Sequence, residues 1–134
     1  MFSNDTRILV VDDVSALRLH VANQLKWMGF KEIEQAENGQ IAFELLEKRR
    51  QQNQFFQLII SDWNMPVMTG IEFLKKVRST EAYAKTPFVM LTSEVEKAEV
   101  IRALKSGVSD YLVKPIDKDL LQQKLLAVWA KAST

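Results

Sequence analysis

Four short apolar runs in this chain each end on a residue that can do chemistry. Ile8-Leu9-Val10-Val11 is followed by Asp12-Asp13, Leu58-Ile59-Ile60 leads to Asp62, Phe88-Val89-Met90-Leu91 to Thr92-Ser93, and Tyr111-Leu112-Val113 to Lys114. Compact aliphatic runs read as strands buried on both faces, and in an open parallel sheet ligands bind outside the carboxyl ends of the strands. Such a sheet would bring three carboxylates, a hydroxyl and an ammonium to one edge. Two unit charges ~4 Å apart repel by roughly 4 kcal/mol at an effective dielectric near 20, so the cluster needs a cation, and Lys114 supplies one charge only. Hard oxygen ligands with few protein contacts suit Mg²⁺. A divalent ion, a hydroxyl and a lysine around a carboxylate are the equipment for placing a phosphoryl group on it, and an aspartate can itself be the nucleophile, giving an acyl phosphate. Asp62, alone at the end of the middle strand, is the natural acceptor.

Each residue also has a plainer reading. Asp13 could cap a helix starting near Val14, Thr92 or Ser93 could cap the next, and Lys114 could pair with a surface acid. Their conjunction favours chemistry, because three clustered carboxylates make a poor capping device.

The elements that must position these groups follow from periodicity. Glu32-Ile33-Glu34-Gln35-Ala36 is a weaker fifth strand. Between the strands, Val14, Leu17, Val21, Leu25 and Met28 share one side of a helix, as do Ile41 with Leu45; Ile71, Leu74 and Val77; Ala98, Ile101 and Leu104; and Leu121, Leu125, Val128 and Ala132. Gly29 and Gly107 fall just after helical stretches, where a left-handed cap is wanted, and Gly39 and Gly70 at helix starts. Thr69 with Glu72, and Ser93 with Glu96, have capping-box spacing. Five strand-helix units without a linker predict one α/β domain over residues 1–134: a doubly wound parallel sheet with helices on both faces.

Composition narrows the function classes. The chain of 134 residues has no cysteine and a single histidine, His20. That excludes a disulfide framework, a thiolate nucleophile, Cys-ligated zinc and a two-histidine metal site. A formal charge of +1 argues against a nucleic-acid partner, whose affinity rests on neutralising several phosphates. The longest apolar run, Leu125 to Ala130, is far short of the roughly 20 residues that span a bilayer, and the start has no signal-peptide pattern, so a cytoplasmic protein without membrane contact is expected.

Val10-Val11-Asp12-Asp13, Ser61-Asp62-Trp63-Asn64-Met65-Pro66, Leu91-Thr92-Ser93-Glu94 and Tyr111-Leu112-Val113-Lys114-Pro115 stand in the order and spacing of response-regulator receiver domains. The resemblance covers essentially the whole chain, and Asp62-Trp63-Asn64-Met65-Pro66 looks most like the chemotaxis regulators of the CheY type. It implies a flavodoxin-like (βα)5 fold with strand order 2-1-3-4-5. It implies that Asp62 accepts phosphate from a sensor histidine kinase, that Asp13, Asp62 and the backbone carbonyl of Asn64 bind Mg²⁺ directly, and that Asp12 acts largely through water. Lys114 would bind the phosphoryl group and Thr92 would move toward it. Tyr111 would follow inward, reshaping the face of the fourth helix, fifth strand and fifth helix. Asn64 and Glu94 would help set the phosphoryl lifetime, and the Lys114-Pro115 bond is expected to be cis.

Some positions depart from the family pattern. Thr69 stands where Asp is common before Gly70, Ile116 where an aromatic is frequent after Pro115, and the segment from Lys48 to Gln57 looks long. None touches the acid cluster. Trp63 is expected to be a partly exposed neighbour of the site, because adjacent strand-end side chains point in opposite senses. Val95, Val100, Leu120, Leu126 and Trp129 lie off the main stripes of the last two helices and suggest a partner surface. Lys48-Arg49-Arg50 complements the carbonyl end of its helix, and His20 is a surface or boundary side chain.

These readings lead to a monomeric, stand-alone receiver with no output domain: a signalling protein rather than an enzyme, which assists its own phosphorylation and dephosphorylation. Its expected partners are a kinase, a phosphatase and an output protein, a flagellar motor switch protein on the resemblance alone. The rival is a phosphorelay shuttle that passes its phosphate to a histidine phosphotransfer protein. A phosphohydrolase of the haloacid dehalogenase type fits less well, since that family spaces its two aspartates one residue apart, whereas Asp12 and Asp13 are adjacent.

Overall fold

Alternate residues of a strand face opposite sides, and that rule divides this molecule's core in two. The computed structural model describes residues 2–63, 65–92, 102 and 105–132. In order they form β1 (Arg7–Val11), α1 (Ser15–Trp27), β2 (Glu32–Ala36), α2 (Gly39–Gln51), β3 (Leu58–Asp62), α3 (Gly70–Ser79), a 3-10 turn (Glu81–Tyr83), β4 (Phe88–Thr92), β5 (Asp110–Val113) and α4 (Lys118–Ala132). The five strands are parallel in the order β2-β1-β3-β4-β5. This is the flavodoxin-like arrangement that the resemblance implied. The helix expected from Ala98, Ile101 and Leu104, and the Ser93–Glu96 cap, lie outside the described residues.

Leu9, Val11, Ile59, Phe88 and Met90 pack with Phe73, Leu74 and Leu46 on the α2-α3 side. Ile8, Val10, Ile60, Val89 and Leu112 pack with Val21, Leu25, Leu121 and Leu125 on the α1-α4 side. All of these side chains are buried, so β1, β3 and β4 have no polar alternation to show.

Two helical stripes differ from the sequence expectation. Val14 and Leu17 are 45% and 41% exposed, while Val21, Ala22 and Leu25 are buried. The first turn of α1 stands beyond the carboxyl edge of the sheet, with no strand beneath it. On α2 the buried pair is Ala42 and Leu46 rather than Ile41 and Leu45, because β2 is an edge strand and leaves the outer flank of α2 uncovered. There Ile41, Leu45, Glu34, Gln35, Glu44 and Lys48 line an open groove of about 390 Å³.

Local signals hold elsewhere. Thr69 and Glu72 form the capping box that starts α3. Gly29 and Gly107 adopt φ of 104° and 95°, the left-handed region that favours glycine. Lys48, Arg49 and Arg50 occupy the last turn of α2, where Arg49 also reaches back to Glu34 on β2 and Arg50 pairs with Glu47. Leu120, Leu126 and Trp129 are exposed on α4, as expected, while Val95 and Val100 lie outside the described residues. No helix among the described residues is long and apolar enough to cross a membrane.

Gly70 ties α3 to the end of β3. Its N–H donates to the Trp63 carbonyl at 2.8 Å, and a Cβ built on it would lie 2.2 Å from the Asp62 carbonyl oxygen and 2.9 Å from the Trp63 Cα. Both neighbours are backbone and cannot swing aside. Gly70→Ala is therefore expected to destabilise the domain by about 3 kcal/mol or more, the upper range for overpacking, read as a lower urea midpoint.

Candidate functional site

Parallel pairing brings the expected chemistry together at the carboxyl edge. Val11 pairs with Ser61, Asp62 with Leu91, and Thr92 with Val113, so the residues that end β1, β3, β4 and β5 stand side by side. Asp12, Asp62 and Thr92 are all buried, at 1%, 6% and 6% exposure, while Asp13 is exposed. Carboxylate oxygens of Asp12, Asp13 and Asp62 lie within 4.8 Å of one another, a group that could hold a metal ion.

The Lys114 ammonium reaches across this edge to Asp12 Oδ2 at 3.1 Å and Asp62 Oδ1 at 3.0 Å. Its backbone N–H donates to the Thr92 carbonyl at 2.7 Å, which continues the sheet pattern one residue beyond β5. The Lys114-Pro115 bond is cis, as expected. Neither aspartate caps α1, whose N-cap residue is Val14 and which has no side-chain cap; Asp12 Oδ1 instead accepts from the Val14 N–H at 3.0 Å, just ahead of the helix. Asp62 Oδ1 accepts from the Trp63 N–H at 2.9 Å. Asn64 and Glu94 lie outside the described residues.

Trp63 does not behave as expected. It is only 7% exposed and belongs to the cluster that packs on α2 and α3. Adjacent side chains do point in opposite senses, but the sense opposite to Asp62 leads into that cluster, with Ile59, and not to solvent. Tyr111 is half-buried against the same cluster, with the Lys124 ammonium 5.3 Å from its ring centre. His20 is an exposed side chain on α1.

Arg18 is a site neighbour that motif reading passes over. Its Nη1 donates to the Asp12 carbonyl at 2.8 Å and its Nε to Gln35 Oε1 at 3.1 Å, clipping the β1-α1 turn to the end of β2. The available signal was a cation one helical turn past the acid pair, a pattern that many surface helices share. Val67, in the loop after β3, has a φ of 70° and is 79% exposed, a left-handed conformation that β-branched residues disfavour.

Burial is the main influence on Asp62 and raises its pKa above the ordinary 3.8; the Lys114 hydrogen bond opposes this and the Asp12 charge adds to it. Burial alone would lower the Lys114 ammonium, but its bonds and charge attraction to Asp62 and Asp12 outweigh it and raise the pKa above 10.5. The signs fix the pH response. A carboxyl raised in the folded state loses native stability as pH climbs from 3.8 through the raised value, whereas the Lys114 contribution is complete below 10.5 and lost only above its own raised value.

At neutral pH the Asp62 charge is therefore a net cost to the fold. Asp62→Asn removes that charge and keeps an oxygen for the Trp63 N–H. It is expected to raise the melting temperature of the metal-free protein at neutral pH, because the charge that burial disfavours is gone while Asp12 still pairs with Lys114. Thermal melts in chelator at pH 7 and at pH 3 check this, with the gain present at the first and absent at the second.

Known proteins share this arrangement. A sequence profile of the response regulator receiver domain matches residues 8–126. A chemotaxis protein CheY homolog of Campylobacter jejuni is 44% identical over 119 residues, covering 89% of this chain and 88% of its own. Chemotaxis protein CheY1 of Helicobacter pylori is 43% identical over 122 residues, covering 91% and 95%. The solved structure of the chemotaxis response regulator CheY4 of Vibrio cholerae is similar with a TM-score of 0.82 at 38% identity, covering 92% of this chain and 98% of that one. With the acid cluster and its lysine at the edge of a β2-β1-β3-β4-β5 sheet, these likenesses establish that the chain belongs to the response regulator receiver domain family and is of the CheY type.

Proposed function

We propose that this protein is a response regulator of chemotaxis that is phosphorylated on Asp62 by a sensor histidine kinase and thereby changes its affinity for a protein target. The observation that carries this reading is the bridge from Lys114 to both Asp12 and Asp62 beside the exposed carboxylate of Asp13. Among the described residues the bridge leaves the acid cluster short of positive charge, since one ammonium pairs with two of its three carboxylates. The donor set, all hard oxygens with one ligand open to solvent, fits Mg²⁺. Asp12, Asp13 and Asp62 would hold it, with the Asn64 carbonyl as a further ligand. When bound, the ion supplies charge that offsets the phosphoryl oxygens.

In this reading an Asp62 carboxylate oxygen attacks phosphorus, the P–N bond of the donor's phosphohistidine breaks, and the donor imidazole leaves with the electron pair. The Lys114 ammonium, already 3.0 Å from Asp62, binds a phosphoryl oxygen, and the Thr92 hydroxyl hydrogen-bonds another. Burial of Asp62 and Thr92 limits water at the acyl phosphate. Asn64 and Glu94 tune how long it lasts. Thr92 and Tyr111 carry the change outward, and exposed Leu120, Leu126 and Trp129 on α4 give an apolar surface for the target. The names of its relatives favour a chemotaxis output, of which a flagellar motor switch protein is the proposed partner, over a phosphorelay shuttle.

Intact mass after incubation with acetyl phosphate and Mg²⁺ tests the chemistry. One phosphoryl adduct is expected on the wild type and none on Asp62→Asn or in excess chelator. An adduct that persists in Asp62→Asn overturns the assignment. Lys114→Ala and Thr92→Ala are expected to keep the fold and lose most of the target-binding response, measured by titration against the motor switch protein with and without phosphodonor.

A further inference from the structure

Lys114 leaves the sheet through Pro115 and Ile116, and this turn is held from outside. The backbone of Lys114 is fixed on one side by the Thr92 carbonyl. On the other side, the Ile116 carbonyl accepts a hydrogen bond from Gln24 Nε2 of α1 at 2.9 Å, from a residue 92 positions earlier in the chain. A carbonyl oxygen can only accept, so the Gln24 atom that faces it must be the amide nitrogen. The second hydrogen of that NH₂ is within reach of His20 Nε2 at 3.0 Å, which makes Nε2 the acceptor and puts the ring proton on Nδ1. The 3.4 Å approach of His20 Nε2 to the Ile116 oxygen is then acceptor against acceptor and holds nothing.

The arrangement has a cost. Gln24 Oε1 is buried without a hydrogen-bond partner among the described residues. An unpaired buried acceptor typically costs about 1–3 kcal/mol. Val21, Leu25, Ile116 and Leu121 form one apolar cluster around this part of α1, where an aliphatic side chain would pack without that penalty. An aliphatic side chain cannot hold the Ile116 carbonyl.

We infer that Gln24 is a positioning residue for Lys114: its amide pins the Pro115-Ile116 turn to α1 and so fixes where the ammonium stands between Asp12 and Asp62. The inference rests on the phosphoryl-binding role proposed above for Lys114. It makes α1 a common frame for the site, with the acid pair just before its first turn and the tether to the lysine loop further along the same helix.

A double-mutant cycle tests it. Initial rates of adduct formation with acetyl phosphate and Mg²⁺ are compared for wild type, Gln24→Leu, Lys114→Ala and the double variant, with Mg²⁺ affinity measured by calorimetry in each. Gln24→Leu is expected to slow phosphorylation about two- to tenfold, the range of one neutral hydrogen bond, with Mg²⁺ affinity unchanged and no further slowing in the Lys114→Ala background. Equal slowing in both backgrounds, or an unchanged rate when Lys114 is present, overturns the inference and leaves the Lys114 role standing. An unchanged rate in Lys114→Ala itself overturns that role and this inference together. If Gln24→Leu does not fold, Gln24→Met, of similar length and without a donor, enters the same cycle.

Discussion

Two buried carboxylates at the ends of different strands, Asp12 and Asp62, share one ammonium from the end of a third. Carboxylates so close and so desolvated repel one another, and burial works against each charge; Lys114 offsets this only in part, which is why Asp62 stays raised while Lys114 is raised too. The sheet is built to hold that imbalance. Parallel pairing aligns the ends of β1, β3, β4 and β5, and the two apolar layers beneath them leave those ends nowhere else to go.

The supports around the cluster are mostly backbone. Val14 and Trp63 donate their N–H groups to Asp12 and Asp62, and Thr92 offers its carbonyl to Lys114. Arg18 holds the Asp12 carbonyl, and Gly70 lets α3 close against the end of β3, which no larger residue allows. A site held this way is stiff at each strand end.

Much of this was legible from residue types. The strands announced themselves as aliphatic runs because both faces of a parallel sheet are buried, and the site announced itself as the polar residue after each run. Thr69 with Glu72 marked a helix start for a local reason, as Gly29 marked the end of α1. Val14, Leu17 and Ile41 misled because periodicity gives a helix's apolar face but not what lies beneath it: one helix turn overhangs the sheet edge and another helix flanks an edge strand. Val67 gave no sign of its left-handed backbone, since valine is not the residue such a turn favours.

The sequence by itself determined the alternation of strand and helix, the chemistry available at the strand ends and, through its motifs, the family. Those follow from local pattern, which each segment carries alone. Tertiary structure alone decided that Trp63 turns inward, that Lys114 bridges two carboxylates, that Arg18 reaches Gln35 at the end of β2, and that Gln24 reaches the Ile116 carbonyl. These are contacts between segments far apart in the chain, and their partners exist only once the sheet has set the register that brings them together.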